Sequence, residues 1–122
     1  MMDTLKTGRN GEDIACAYLE RAGFEIKHRN LRMGHKETDI ICENGEYVLF
    51  VEVKTRRKGT SSGRYGSARD AVNAKKIALL SEAAREYMRK YGISKKPRLD
   101  VIEVYISNNG EPEIKHIKNI LG

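Results

Sequence analysis

The chain has few of the features that would place it in a membrane or outside the cytoplasm. Its only two cysteines, Cys16 and Cys42, form no Cys-x-x-Cys pair and have no histidine at ligand spacing, so we expect reduced thiols and no zinc site. No stretch approaches the ~20 apolar residues of a membrane span, and residues 1–10 lack the apolar core of a signal peptide. These absences predict a cytoplasmic protein with no membrane partner.

Aromatic residues are scarce and basic residues are in excess. The chain has no tryptophan, and we find no aromatic stacking motif of the type that binds bases on RNA-recognition sheets. Lys and Arg number 23 against 17 Asp and Glu, which gives a net charge of +6. This balance suggests a polyanionic partner such as nucleic acid, although a solvated basic surface would have the same composition.

The length of 122 residues suits one hydrophobic core, so we predict a single domain over residues 1–122. Apolar residues at helical spacing predict a first helix over 8–22, and a second begins near a capping box at Ser67 and ends at Gly92. Strand patterns cover 24–29, 37–43, 47–55, 98–106 and 113–117. The order α-β-β-β-α-β-β predicts an α/β fold with a mixed central sheet flanked by helices and a short C-terminal strand.

The second and third predicted strands are joined by Asn44-Gly45, a strong signal for a β-hairpin. With these two residues as the loop, Glu43 pairs with Glu46 and Asp39 lies opposite Phe50. Opposed and alternate residues share a face of the sheet. The predicted face therefore carries four charged side chains, namely Glu37, Asp39, Glu52 and Lys54.

Two of these carboxylates suit a divalent cation. Asp39 lies diagonal to Glu52 at ~7 to 8 Å between backbones, so both, with the carbonyl of Val53, could hold Mg²⁺ or Mn²⁺. Lys54 would then position or activate a water that attacks a phosphodiester. The alternative is a Glu-x-Lys that merely decorates a solvated strand. Because residues 47–51 are apolar on both faces, the charged pair begins where a covered strand ends, which favours a site.

Glu12 lies on the first predicted helix, at the boundary of its apolar stripe. By helical geometry Asp13 faces water, whereas Glu12 can reach the sheet. An acid in a first helical turn is also a favourable partner of the helix dipole. The helical pattern alone therefore leaves both interpretations open.

At these residues the sequence resembles the PD-(D/E)XK nuclease superfamily, and more closely the YraN-like bacterial family, which is similar to archaeal-type Holliday junction resolvases. The resemblance implies a restriction-endonuclease-like α-β-β-β-α-β core, a metal site at Asp39 and Glu52, Lys54 as the catalytic lysine, and Glu12 as a helix acid near the metal. The matching stretches are Gly8-Arg9-Asn10-Gly11-Glu12, Asn30-Leu31-Arg32, Glu37-Thr38-Asp39-Ile40-Ile41, Phe50-Val51-Glu52-Val53-Lys54-Thr55-Arg56 and Arg98-Leu99-Asp100-Val101.

Basic residues near this site are candidate contacts for nucleic-acid phosphates. Arg56 and Arg57 directly follow the third strand and open a basic, glycine- and serine-rich segment, 56–66, which we expect to be a mobile loop that closes on nucleic acid. For Lys75 and Lys76 a solvated helix face is an equal alternative. The full candidate set is Arg9, Asn10, Arg32, Arg56, Arg57, Lys58, Arg64, Lys75 and Lys76.

Two functions fit these patterns. The first is a Mg²⁺- or Mn²⁺-dependent DNA endonuclease, acting on branched or flapped DNA. The second is a DNA- or RNA-binding accessory protein that uses the same fold without cleavage. The presence of Glu12, Asp39, Glu52 and Lys54 favours the first function, because an acidic cluster beside a phosphate does not increase the affinity of a protein that only binds nucleic acid. A third interpretation, a small RNA-binding or ribosome-associated protein, has only the charge in its favour. Cleavage of a two-fold junction would call for a homodimer.

Overall fold

The computed structural model describes residues 2–57, 74–107 and 110–120, with the side chains of residues 2–10 left undescribed. The elements follow the predicted order α-β-β-β-α-β-β, which confirms the α/β class. The predicted loop 58–66, the capping box at 67–70 and Asn109 lie outside the described residues. The elements are α1 Met2–Arg21, β1 Glu25–Met33, β2 Lys36–Glu43, β3 Tyr47–Arg57, α2 Ala74–Tyr91, β4 Lys96–Ile106 and β5 Glu113–Ile117.

The first helix begins at Met2, earlier than predicted, and ends close to the predicted C-cap. Gly23 has φ +100°, in the left-handed region that glycine adopts without a steric penalty. The N–H of Phe24 donates to the carbonyl of Leu19 at 3.0 Å, which closes the last turn of the helix. The chain can therefore turn sharply from α1 into β1.

The five strands form one mixed sheet in the order β1-β2-β3-β4-β5. The pair β3-β4 is parallel and the other three pairs are antiparallel. The long connection between β3 and β4 contains α2, as a parallel pair requires. Strand β3 is central, and Val48 to Val51 are fully buried because helices cover both of its faces.

Each helix packs on a different face of the sheet, so the core has two layers. Among the described residues, no helix is long and apolar enough to span a membrane. The α1-side cluster contains Ala15, Cys16, Leu19, Ile40, Cys42, Leu49, Val51, Ile102 and Val104. The α2-side cluster contains Ile41, Val48, Phe50, Leu80, Ala84, Tyr87, Leu99 and Val101. Both cysteines are free, and burial raises the pKa of Cys42 to about 12, so it stays a thiol.

The first strand, predicted over 24–29, is longer than expected, because most of the non-strand segment predicted after residue 29 belongs to β1. Leu31 pairs with Thr38 and Met33 with Lys36, so the backbone of this segment hydrogen-bonds to β2. The turn is shorter than predicted and lies at Gly34, which has φ +65°. The sequence missed the extension because Asn30 resembles a turn residue. Asn30 does take a left-handed conformation, with φ +53°, but it does so inside the strand.

The predicted register of the β2-β3 hairpin is also wrong, by two residues. The side-chain oxygen of Asn44 accepts the N–H groups of Glu46 at 2.9 Å and Tyr47 at 2.7 Å, and the N–H of Asn44 donates to the carbonyl of Tyr47 at 3.0 Å. Asn44 is therefore the last paired residue of the hairpin, and the two-residue loop is Gly45-Glu46. Glu43 pairs with Val48 instead of Glu46.

This shift changes which residues of β2 and β3 are paired, but it does not change the face of the sheet on which each side chain lies. Phe50 lies opposite Ile41 instead of Asp39. Because the shift is an even number of residues, every side chain stays on its predicted face of the sheet. The register continued by one residue beyond the pair Ile40 and Val51 brings Asp39 level with Glu52, directly opposite rather than diagonal.

Candidate functional site

The candidate site lies where β2 and β3 stop pairing. The last pair of the ladder is Ile40 with Val51. One residue further, Oδ2 of Asp39 accepts the backbone N–H of Val53 at 2.8 Å. A side chain therefore takes the place of a backbone acceptor on β2. The carboxylate of Asp39 is fixed between the two strands at the end of the paired region.

The Asp39 carboxyl group has an unusual protonation equilibrium. Its pKa is raised from 3.8 to about 6, mainly by burial and also by the charges of Glu52 and Glu12. The hydrogen bond from Val53 and the positive charge of Lys76 oppose this rise. Desolvation and repulsion by like charges disfavour the ionised form. A cation at this site would relieve both penalties.

Glu52 is the most buried carboxylate of the site, with 5% of its surface exposed. Its Oε2 atom lies 3.5 Å from Nζ of Lys54 and 3.4 Å from Nζ of Lys76. Lys54 comes from the same face of β3, whereas Lys76 comes from the first turn of α2. Lys76, for which a phosphate contact and a solvated helix face were equal alternatives, therefore has its ammonium group at the predicted site, while 40% of its side chain stays exposed.

Glu37 lies on the same strand as Asp39, near the start of β2. Its carboxylate is 3.5 Å from a guanidinium nitrogen of Arg32 on β1, and 44% of its side chain is exposed. The ion pair with Arg32 draws Glu37 toward the solvent-exposed edge of the sheet. Of the four charged residues predicted to share this face, the structure brings Asp39, Glu52 and Lys54 together and leaves Glu37 at the rim.

Glu12 approaches from the other side of the sheet, because α1 packs against the α1-side cluster. Its Oε1 atom accepts a hydrogen bond from Nδ2 of Asn30 at 3.0 Å and lies 3.4 Å from Arg29. Arg29 makes a shorter ion pair, of 2.8 Å, with Asp13. As predicted from its place at the edge of the stripe, Glu12 reaches the sheet, and its charge raises the pKa of Asp39.

Gly11 explains how α1 comes so close to the site. A Cβ atom at this position would overlap the hydroxyl oxygen of Thr55 and lie 3.1 Å from its Cβ. Only a glycine allows the helix backbone to contact β3 at this point. The contact fixes the height of Glu12 along the sheet. It also gives a packing role to a glycine within the matching stretch at 8–12.

Sequence reasoning missed Glu103, a fully buried acid on β4. It accepts a hydrogen bond from Nε of Arg56 at 2.9 Å and another from the hydroxyl of Tyr105 at 2.6 Å. The parallel register places Glu103 beside Lys54. The sequence did contain a signal for Glu103, because an acidic residue is unusual within the otherwise apolar strand predicted over 98–106. Through Glu103, one strand over from Lys54, the side chain of Arg56 is held against the sheet.

The remaining candidate phosphate contacts are spread around this end of the sheet. Arg57 and Lys75 are exposed, and Arg32 is paired with Glu37. Lys58 and Arg64 lie outside the described residues, as do the side chains of Arg9 and Asn10. Of the candidate contacts, Lys76 therefore lies beside Glu52, and Arg56 lies beside Glu103.

Among the described residues, two carboxylates rather than three are placed to bind a cation. Among residues 2–57, 74–107 and 110–120, no group of three or more His, Cys, Asp or Glu side chains is arranged to hold a metal ion. Asp39 and Glu52 still supply two carboxylates, and two ammonium groups already lie beside Glu52. Oxygen donors of this kind suit Mg²⁺ and Mn²⁺.

Comparison with known proteins gives one consistent family. A model described as "Uncharacterised protein family UPF0102" matches residues 11–104. A UPF0102 protein of Rhodococcus jostii is 38% identical over 120 residues, which are 98% of this chain and 98% of that protein. A UPF0102 protein of Bacteroides thetaiotaomicron is 40% identical over 118 residues, 97% of this chain and 93% of that protein. One from Bacteroides fragilis is 43% identical over 111 residues, 91% of this chain and 88% of that protein. The YraN-like part of the resemblance is thereby confirmed, and the chain belongs to the UPF0102 family.

Proposed function

We propose that this protein is a metal-dependent DNA endonuclease of the PD-(D/E)XK type that hydrolyses phosphodiester bonds in branched or flapped DNA. One observation carries the proposal. Asp39 and Glu52 face each other where β2 and β3 separate, and Lys54 lies within 3.5 Å of Glu52. Two half-buried or buried acids and a lysine at the open end of a hairpin are the parts that phosphodiester hydrolysis requires.

Asp39, Glu52 and the carbonyl of Val53 would hold Mg²⁺ or Mn²⁺. The orientation of Val53 supports its part in this set, because the N–H and C=O of one strand residue point toward the same neighbouring strand. The N–H of Val53 points to Asp39, so its carbonyl lies on the same side. The bound ion would lower the pKa of a water and stabilise charge on the phosphate.

The protein's own cations would act on the DNA and on the attacking water. Lys54, released from Glu52, positions the water and offsets charge on the scissile phosphate. Arg56 is held in place by Glu103 and contacts a flanking phosphate. The net charge of +6 gives DNA a general electrostatic attraction that weakens as salt rises. We place this activity in the cytoplasm, and a two-fold junction substrate would call for a homodimer.

One observation favours the second candidate, a DNA- or RNA-binding accessory protein that does not cleave. Glu52 is already neutralised by Lys54 and Lys76, so the fold does not need a metal ion to tolerate this acid. In that case the lysines would be locked to Glu52, and the phosphate contacts would come from Arg56 and its neighbours.

A cleavage assay separates the two candidates. Junction, flap, single-stranded and duplex DNA are incubated with the wild type in Mg²⁺ or Mn²⁺. We expect the wild type to cut branched or flapped DNA, and Asp39→Asn and Lys54→Ala to lose the cut. Glu111→Gln, which changes an exposed carboxyl outside the site, serves as the control. Metal-independent binding of every substrate without product would establish the accessory function instead.

A further inference from the structure

Asn30 combines three unusual features near the acid pair. It is not a glycine, yet it has φ +53° in the middle of strand β1. Its neighbours pair with β2, Arg29 with Ile40 and Leu31 with Thr38, so Asn30 is level with Asp39. Its Nδ2 atom donates to Oε1 of Glu12 at 3.0 Å.

The left-handed conformation changes which way the side chains of β1 point. In a regular strand, residues two apart share a face, so Arg29 and Leu31 would lie on the same side. Arg29 instead contacts Glu12 on α1, whereas Leu31 packs with the α2-side cluster. The reversal at Asn30 sends two consecutive side chains, Arg29 and Asn30, to the same helix. A regular strand could supply only one.

Arg29 and Asn30 contact different acids of α1. Arg29 pairs with Asp13 at 2.8 Å and contacts Glu12 only at 3.4 Å. Asn30, at 3.0 Å, is the shorter contact to Glu12. Asn30 is neutral, so it orients the carboxylate without cancelling its charge. A left-handed backbone is strained for most residues other than glycine, least so for Asn and Asp, and residues in this conformation cluster at functional sites.

We propose that Asn30 is a positioning residue, which holds Glu12 at the end of the sheet so that its carboxylate faces the site of Asp39 and Glu52. This inference rests on the proposed function and deepens it, because it makes Glu12 a charged neighbour of the two-carboxylate metal site, held there by Asn30 rather than by α1 alone. Outer partners of metal ligands change metal affinity by about 10- to 100-fold when they are removed.

The test uses two substitutions that tolerate the left-handed backbone. Asn30→Gly removes the donor, and Asn30→Asp keeps the shape but places a carboxylate against Glu12. The matched control is Asn119→Gly, because Asn119 also has φ +53° and uses only its backbone N–H to contact Asp100. Mn²⁺ affinity is measured by calorimetric titration, and cleavage of flap DNA is measured in parallel.

We expect Mn²⁺ affinity to fall at least about 10-fold in both Asn30 variants and to stay unchanged in Asn119→Gly. Combined with Glu12→Gln, the substitution Asn30→Asp should cause no further loss, since both act through one carboxylate. Rotamer populations of Glu12, read by NMR in the metal-free protein, should broaden in Asn30→Gly.

Three results are decisive against the proposal or its basis. Wild-type affinity in both Asn30 variants, with an active wild type, overturns the positioning role and leaves the proposed function standing. Additive losses in the double variant also overturn it, because Asn30 would then act independently of Glu12. A wild type that neither binds Mn²⁺ nor cuts DNA refutes the proposed function, and the inference falls with it.

Discussion

Replacing Asp39 by asparagine should stabilise the metal-free protein at neutral pH. The substitution removes a charge that burial and two neighbouring carboxylates disfavour, while an amide oxygen can still accept the N–H of Val53. The pKa rise from 3.8 to about 6 is roughly two units, and each unit is worth about 1.4 kcal/mol, which gives an upper limit of about 3 kcal/mol. Because Asp39 is only half-buried, we expect about 1 to 2 kcal/mol.

The sign of the pH dependence follows from the raised pKa of Asp39. Between about pH 4 and pH 6 the folded protein binds a proton that the unfolded chain has lost, so the wild type loses stability as pH rises through this window. Asp39→Asn lacks this titration. The stability gained by the variant should therefore be absent below about pH 4 and complete above about pH 6.

Urea unfolding followed by circular dichroism, with a chelator present, measures this difference at several pH values. Glu37→Gln is the matched control, because Glu37 is on the same strand but exposed and paired with Arg32, so its removal should bring no gain. A variant at Asp39 that is less stable than the wild type at pH 8, or a difference that does not change with pH, would refute the electrostatic reasoning.

Three further predictions test the site and its support. Mg²⁺ or Mn²⁺ at 100 times its Kd should stabilise the wild type by about 2.7 kcal/mol in thermal melts; Asp39→Asn should abolish this gain and Lys54→Ala should keep it. Gly11→Ala should cost about 1 to 2 kcal/mol in urea unfolding, since overlap with Thr55 outweighs the gain in helix propensity, and an added Thr55→Ala should recover part of it. Glu103→Gln should cost about 2 to 3 kcal/mol because it removes the charge from a fully buried acceptor of Arg56, and an unchanged stability would show that this ion pair does not stabilise the fold.

The sequence predicted the shared face of Asp39 and Glu52 better than it predicted the register of the hairpin that carries them. Strand alternation fixes the face of a side chain, and it survives any shift of register by an even number of residues. Asp39 and Glu52 were therefore assigned to the correct face of the sheet, although the loop was assumed to be Asn44-Gly45. The error arose from the side chain of Asn44, which caps the two following N–H groups and moves the loop to Gly45-Glu46.

What the sequence did not predict depends on contacts between distant parts of the chain. Glu103 owes its burial and its hydrogen bond with Arg56 to the parallel pairing of β3 with β4, which no local pattern specifies. The long β1 was missed because Asn30 looks like a turn residue until its pairing with β2 is known. Lys76 could not be assigned to Glu52 until α2 was placed on that face of the sheet.

The acids of the site therefore depend on two different kinds of support. A short hairpin loop brings Asp39 and Glu52 together, so their approach needs only local chain closure. Glu12 reaches the same place only if α1 contacts β3 at Gly11 and if Asn30 holds its carboxylate. Changes at Gly11 or Asn30 should then displace Glu12 and leave the acid pair intact. Asn30 variants should therefore bind Mn²⁺ at least about 10-fold more weakly than the wild type, whereas wild-type affinity in these variants would show that Asn30 does not hold Glu12 beside the acid pair.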